Sequence, residues 1–230
     1  QFLRPRTDKN LSQHIHFLSE YLREGHEGID ALRKDIAWLQ TLPLWIERDD
    51  LRIVHAAWLP EDIDVLRAVS DEGHVPSAYF WHPASNTSTA IGRAVDRVLK
   101  GPEKKLPVSF KDAQGHERRA ARVRWWAEDP QGWDELLMGP PRLFDALSAH
   151  PFEGADIPCY GRDEPPVFFG HYWLPPDVRS GRPATYLLQE PNVACLDFSV
   201  AKQGLLGVYS WDGEERLLPE KLSGFSAGQS

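Results

Sequence analysis

Val167-Phe168-Phe169-Gly170-His171-Tyr172-Trp173 runs four apolar or small residues straight into a histidine and then two aromatics. A strand buried on both faces reads as such a continuous apolar segment, and in open α/β sheets ligands gather beyond the carboxyl ends of strands. The stretch therefore predicts a buried β-strand that delivers the imidazole of His171 at its C-terminal end.

Leu51-Arg52-Ile53-Val54 repeats the arrangement and ends on His55, before Ala56-Ala57-Trp58. Two histidines so far apart in sequence meet only if their strands are near neighbours in one sheet. Neutral imidazole is a common metal ligand, so the pair is a candidate metal site; the alternative is a pair of hydrogen-bonded core histidines.

The 230 residues carry a net charge of −8, which argues against a general surface for nucleic-acid polymers or anionic membranes. No apolar run is long enough to span a bilayer, and the N-terminus has no signal-peptide pattern. Cys159 and Cys195 lie outside any CxxC and read as buried thiols of a reduced, cytoplasmic protein. Partners are expected to be small molecules or proteins. The absence of an initiating Met suggests a start inside a longer gene product.

Around the two histidines the periodicity predicts helices over 10–23 and 28–42, then a hairpin of 44–47 and 51–54 that aims His55 at the sheet edge. A helix follows over 60–69, then a loop carrying His74 and His82, then a helix capped within 85–89 and running to Leu99. A second hairpin is expected from Val108 to Trp126, turning at 112–115. Residues 128–152 read as a connector with a short helix over 141–147. After a surface loop at 175–183, segments 192–197 and 204–210 are expected to pair, with a last strand near 215–218 and a frayed tail over 223–230. One domain is expected, with a possible insertion over 71–152.

Arg118, Arg119, Arg122 and Arg124 cluster on the return strand of the second hairpin. Arg122 and Arg124 share a face by the period of two and are candidate phosphate-binding residues; a solvated strand face is the alternative.

Taken in order, Leu42-Pro43-Leu44-Trp45, Leu51-Arg-Ile-Val-His55-Ala-Ala-Trp58, Phe168-Phe-Gly-His171-Tyr-Trp173 and Asn192-Val-Ala-Cys-Leu-Asp197 leading to Gly204-Leu-Leu resemble the C-terminal two-thirds of a calcineurin-like metallophosphoesterase. The branch is the bacterial one related to the phosphoprotein phosphatases. Lys100-Gly-Pro-Glu103 and Arg124-Trp-Trp126 are similar to its insertion, so the resemblance spans nearly the whole chain.

The resemblance implies an α/β (α+β) fold, a β-sandwich flanked by helices and incomplete at its N-terminal side. It implies a two-metal centre (manganese, iron, zinc or nickel) that hydrolyses a phosphate ester of a phosphoprotein, a nucleotide or a small phosphomonoester. His55 and His171 carry over as metal ligands. The family's early motifs, Asp-x-His, Gly-Asp-x-x-Asp-Arg-Gly and Gly-Asn-His-Glu, are absent, and Gln1 to Asn10 resembles the segment that follows them. The expectation is therefore that catalytic residues lie upstream of Gln1 and that residues 1–230 alone are inactive and poorly soluble. The other reading is a non-catalytic binding module that has lost the metal centre.

Overall fold

Thr7 opens the first helix, α1 (Asp8–Leu22), by accepting the Asn10 amide at 3.2 Å on its hydroxyl, as N-cap threonines do. The computed structural model describes residues 7–75, 78–112, 115–154, 159–175 and 190–226. Helix α2 (Gly25–Leu39) folds back on α1, and Tyr21 donates to Asp35 at 2.6 Å across the pair. Gly28 makes that approach possible, since a β-carbon there would sit 1.8 Å from the Tyr21 carbonyl oxygen. Both helices lie a few residues earlier than the periodicity suggests: α2 begins at Gly25 and stops at Leu39. Their apolar stripes remain largely open, with Ile15, Leu22 and Trp38 exposed.

Strands β1 (Trp45–Glu47) and β2 (Arg52–Val54) form the expected antiparallel hairpin. Helix α3 (Pro60–Arg67) starts on a proline, whose missing N–H is harmless in a first turn. It is followed by the short α4 (Trp81–Ala84), which holds His82, and by α5 (Ala90–Lys100), capped by the Thr89 hydroxyl. Ile63 and Leu66 of α3 are buried with Ala94 and Val98 of α5 in one core, and Asp62 meets Arg97 at 3.0 Å.

The chain then builds a small unit with its own apolar centre: β3 (Glu103–Lys111), β4 (Glu117–Val123), α6 (Trp133–Leu136), β5 (Leu137–Met138) and α7 (Pro141–Leu147). Strand β3 starts five residues before the expected Val108. Its pairing with β4 shifts register between Lys105 and Phe110, where Pro107 has no N–H to give to the ladder. The segment 128–152 is thus more than a connector. Met138 and Leu137 pair with Arg122 and Val123, while Leu136, Leu143 and Leu147 fill the satellite core.

The chain returns as β6 (Val167–Phe169), buried throughout, then β7 (Val193–Cys195). The first sheet has the order β1-β2-β6-β7, with β2, β6 and β7 parallel. His55 therefore leaves an interior strand, not the sheet edge. The expected pairing of 192–197 with 204–210 holds only for the end of the first segment. β8 (Asp197–Phe198) pairs with β9 (Leu205–Tyr209), whereas β7 belongs to the first sheet, so the chain changes sheets at Leu196.

Residues 215–218 are irregular, and the last strand is β10 (Leu222–Ser226), paired with β9 across part of the segment read as a frayed tail. Phe168 of the first sheet and Tyr209 of the second pack with ring centroids 5.0 Å apart, beside Leu51, Ala194 and Leu217. Cys195 is buried as expected; Cys159 is exposed. Residues 113–114 of the expected turn, 176–183 of the surface loop and 227–230 of the tail lie outside the described residues. The architecture is mixed α/β, with three sheets among the described residues and no barrel.

Candidate functional site

Parallel pairing of β2 with β6 puts Ile53 opposite Phe168, so both strands end at the same level of the sheet. Just beyond, the Gly170 amide donates to the His55 carbonyl at 2.9 Å, tying the two strand ends together. The imidazoles consequently face each other, with His55 Nε2 3.3 Å from His171 Nδ1 and ring planes inclined by 50°. His171 is held at φ +67°, a left-handed conformation uncommon outside glycine, and such strain concentrates at functional sites.

Both rings are held in the neutral form that can offer a lone pair. Burial lowers the pKa of His55, against a smaller opposing pull from Asp197. Burial also lowers that of His171, to about 4, helped by the charge of Arg122, by His55 and by Lys100 and opposed by Asp197. Asp197 is the third member of the group, at the start of β8. Its carboxylate accepts the Ser199 amide at 3.0 Å, and its carbonyl accepts the Leu174 amide at 3.0 Å. Sequence reasoning assigned Asp197 no role, although it ends the Asn192–Asp197 segment as His55 and His171 end theirs.

These three side chains line a cavity of about 960 Å³ whose other walls are mostly apolar, among them Ile46, Ile53, Leu206 and Val200. Ile46, Ile53 and Leu206 are exposed, so the apolar side of the cavity opens directly beside the histidines.

The two candidate arginines separate. Arg122 stays on β4, 3.5 Å from Glu103, with its guanidinium 5.4 Å from the centre of the Tyr172 ring and its charge felt by His171. Strand β4 ends at Val123, so the period of two does not extend to Arg124. The Arg124 amide instead donates to Leu136 at 2.8 Å, and burial lowers the pKa of its guanidinium against the charges of Asp134 and Glu135. Arg118 and Arg119 pair with Asp112 and Glu117. The expected basic stripe is therefore three locally paired arginines, Arg118, Arg119 and Arg122, and a half-buried Arg124; of the four, Arg122 alone bears on the histidines.

Among the described residues no group of three His, Cys, Asp or Glu side chains is placed to hold a metal ion, and no helix is long and apolar enough to cross a membrane. Two neutral imidazoles facing one another suit part of a metal centre and fall short of a whole one, since each cation takes four to six ligands. No protein-family model matches the chain, and neither the curated proteins nor the solved structures contain a match.

Proposed function

We propose that the chain is part of a metal-dependent phosphoesterase in which His55 and His171 are two ligands of a dinuclear centre. The observation that carries this reading is the 3.3 Å approach of two neutral imidazoles at the carboxyl ends of adjacent parallel strands. Together with the ordered sequence resemblance, it favours a metal role over two separate core histidines. Divalent cations there would lower the pKa of water and offset charge on the phosphoryl oxygens.

The chain's own residues divide the remaining work. The Gly170–His55 backbone hydrogen bond fixes the spacing of the two rings. Asp197 places a negative charge beside them, and Arg122 places a positive one on the side of the insertion. Two imidazoles leave most of the coordination of two cations to other ligands, water and substrate oxygens among them.

The test is metal content and turnover in the intact protein. His55→Ala and His171→Ala should each lose most metal by elemental analysis, and most hydrolysis of p-nitrophenyl phosphate, while keeping the circular dichroism of the parent. Unchanged metal and turnover in both variants would reject the assignment. A second reading, a binding module without catalysis, draws on the apolar cavity beside the pair. It predicts a protein with no hydrolysis of any phosphate ester under any divalent metal.

A further inference from the structure

Residues 100–126 hold eight of the chain's 26 Lys and Arg and only three Asp and Glu, a local +5 in a chain of net −8. The other 203 residues therefore carry −13. Most of the local positive charge sits on the hairpin of β3 and β4, which exposes Lys105, Lys111, Arg118 and Arg119 to solvent. The carboxylates nearest in sequence that offset it, Asp134, Glu135 and Asp145, belong to α6 and α7 instead.

Local pairing leaves part of this charge free. Lys105 and Lys111 make no ion pair with a carboxylate among the described residues. Arg119 reaches Glu117 only at 3.6 Å, with 84% of its side chain exposed, and Lys111 stands opposite that same Glu117 in the ladder. Arg118 is held by Asp112 at 2.9 Å. Lys104 gives the contrast of a cation that serves the fold: its ammonium donates to the Gly154 carbonyl at 2.8 Å and lies 5.9 Å from the centre of the Trp133 ring. Strand β3 is an edge of its sheet, and lysines with a proline on an edge discourage pairing with another strand. That need covers Lys105, Pro107 and Lys111, but not Arg118 and Arg119, because β4 is the middle strand between β3 and β5. Positive charge beyond what its own fold requires is a complement for a negative partner.

We infer that the β3–β4 hairpin is a docking surface for a short acidic polypeptide segment, held by side-chain charge and not by strand addition. Pro107 and the register shift between Lys105 and Phe110 spoil the regular backbone edge that strand addition needs. A nucleic-acid strand fits this surface less well. Trp125 and Trp126 are buried, and none of the described residues over 100–126 exposes a large apolar or aromatic side chain on which bases could stack. A polymer would also extend onto the acidic remainder of the chain, whereas a short segment ends with the hairpin, whose nine-residue strand β3 spans roughly 30 Å. The inference is independent of the phosphoesterase reading.

The experiment follows the fluorescence anisotropy of a labelled peptide alternating glutamate and threonine, titrated with the intact protein at low and at physiological salt. Binding should weaken as salt rises, and Lys105→Glu with Lys111→Glu should weaken it about tenfold. Lys105→Gln with Lys111→Gln should give a smaller loss, about threefold. Arg33→Glu with Lys34→Glu changes the net charge by the same amount at exposed positions of α2, and should stay within about twofold of the parent. An N-methylated form of the peptide should bind as well as the plain one. No binding by the parent, or equal losses in the two charge-reversed variants, would overturn the inference. Tighter binding of an oligothymidylate of equal charge would overturn it in favour of a nucleic-acid surface, and loss of binding on N-methylation would overturn it in favour of strand addition. Self-association of the parent that the lysine reversal alone abolishes would overturn it as well, by assigning the hairpin to the acidic surface of a second copy.

Discussion

Between Gly101 and Tyr172 there is no room for a β-carbon: one at residue 101 would sit 2.3 Å from the phenolic oxygen and 2.9 Å from the ring carbon that carries it. Gly101 closes α5 at φ +81°, and Tyr172 is the residue after His171. This contact therefore links the entry to the unit of β3, β4, β5 and α7 with the loop that carries His171. Gly101→Ala combines a steric clash with an unfavourable φ and should cost about 2–4 kcal/mol. Tyr172→Phe loses the hydrogen bond to Val123 and the hydroxyl's interaction with Trp125, and should cost about 1–2 kcal/mol. The double variant should fall short of the sum, because removing the hydroxyl relieves the closest contact. Urea denaturation of the four proteins measures this, and strict additivity would count against the contact.

Arg52 is the fixed point at the opposite end of β2. Its guanidinium lies 4.8 Å from the Trp58 ring centre and 5.6 Å from that of Tyr160, and it bonds Glu164 at 2.6 Å. A planar, delocalised cation suits two ring faces as an ammonium does not. Arg52→Lys should lower stability by about 1–2 kcal/mol and leave any turnover at the histidine end unchanged. A change in turnover without a change in melting temperature would contradict this division.

Charge reversal distinguishes the two candidate arginines. Arg122→Glu removes a positive charge felt by His171 and should raise KM for a phosphate ester several-fold in the intact protein. Arg124→Glu puts a half-buried carboxylate near Asp134 and Glu135 and should act on melting temperature, with little change in KM. Matching KM changes in both variants would restore the single stripe that the sequence suggests.

Glu214 gives a signature in acid. Burial pushes its pKa up, but this is outweighed by hydrogen bonds from Tyr209, from the Asp212 amide and from Lys221, which hold it at about 2. With the folded pKa below the ordinary value of 4.5, the contribution of these bonds is complete above pH 4.5 and is lost as pH falls toward 2. The melting temperature of Glu214→Gln should therefore lie below the parent's near neutrality and converge on it in this window. A constant gap between the two curves would rule the linkage out.

Ile46, Ile53, Leu206 and Phe225 are exposed on one continuous part of the two sheets, next to the open stripe of α2. Exposed apolar patches of this kind drive association. The isolated 230-residue chain should self-associate in sedimentation experiments, and Ile53→Lys with Leu206→Lys should shift it toward monomer. A monodisperse parent chain would overturn this expectation.

How much of this was legible in the sequence follows from where the apolar pattern is dense. His55 and His171 each follow an uninterrupted apolar run, so the strand-end reading found them and their adjacency. Asp197 was harder to assign, since its role depends on the change of sheet at Leu196, which no local pattern encodes. Strand β10 includes Gly224 and its apolar residues alternate weakly, whereas 215–218 looks more strand-like yet joins no ladder, its Leu217 amide donating to the Pro191 carbonyl instead. The satellite core draws Trp133, Leu136 and Leu147 from a stretch whose Pro and Gly content reads as connector. Arg124 was misplaced because a strand's period cannot announce its own end.

The parallel ladder between β2 and β6 joins Arg52 to Val167, and the whole β3–α7 unit lies between them in sequence. Loop-closure entropy grows only slowly with loop length, so the long separation costs the finished fold little. It matters for the order of events. The ladder cannot form until every residue of that unit has been synthesised, whereas β3, β4 and α7 find their partners locally. The satellite core is thus available as an early folding unit, and the two imidazoles meet only when β6 closes the sheet. A lesion in that unit, far from His55, would then show itself as slow or failed closure of the β2–β6 ladder, with the histidine pair intact in those molecules that complete it.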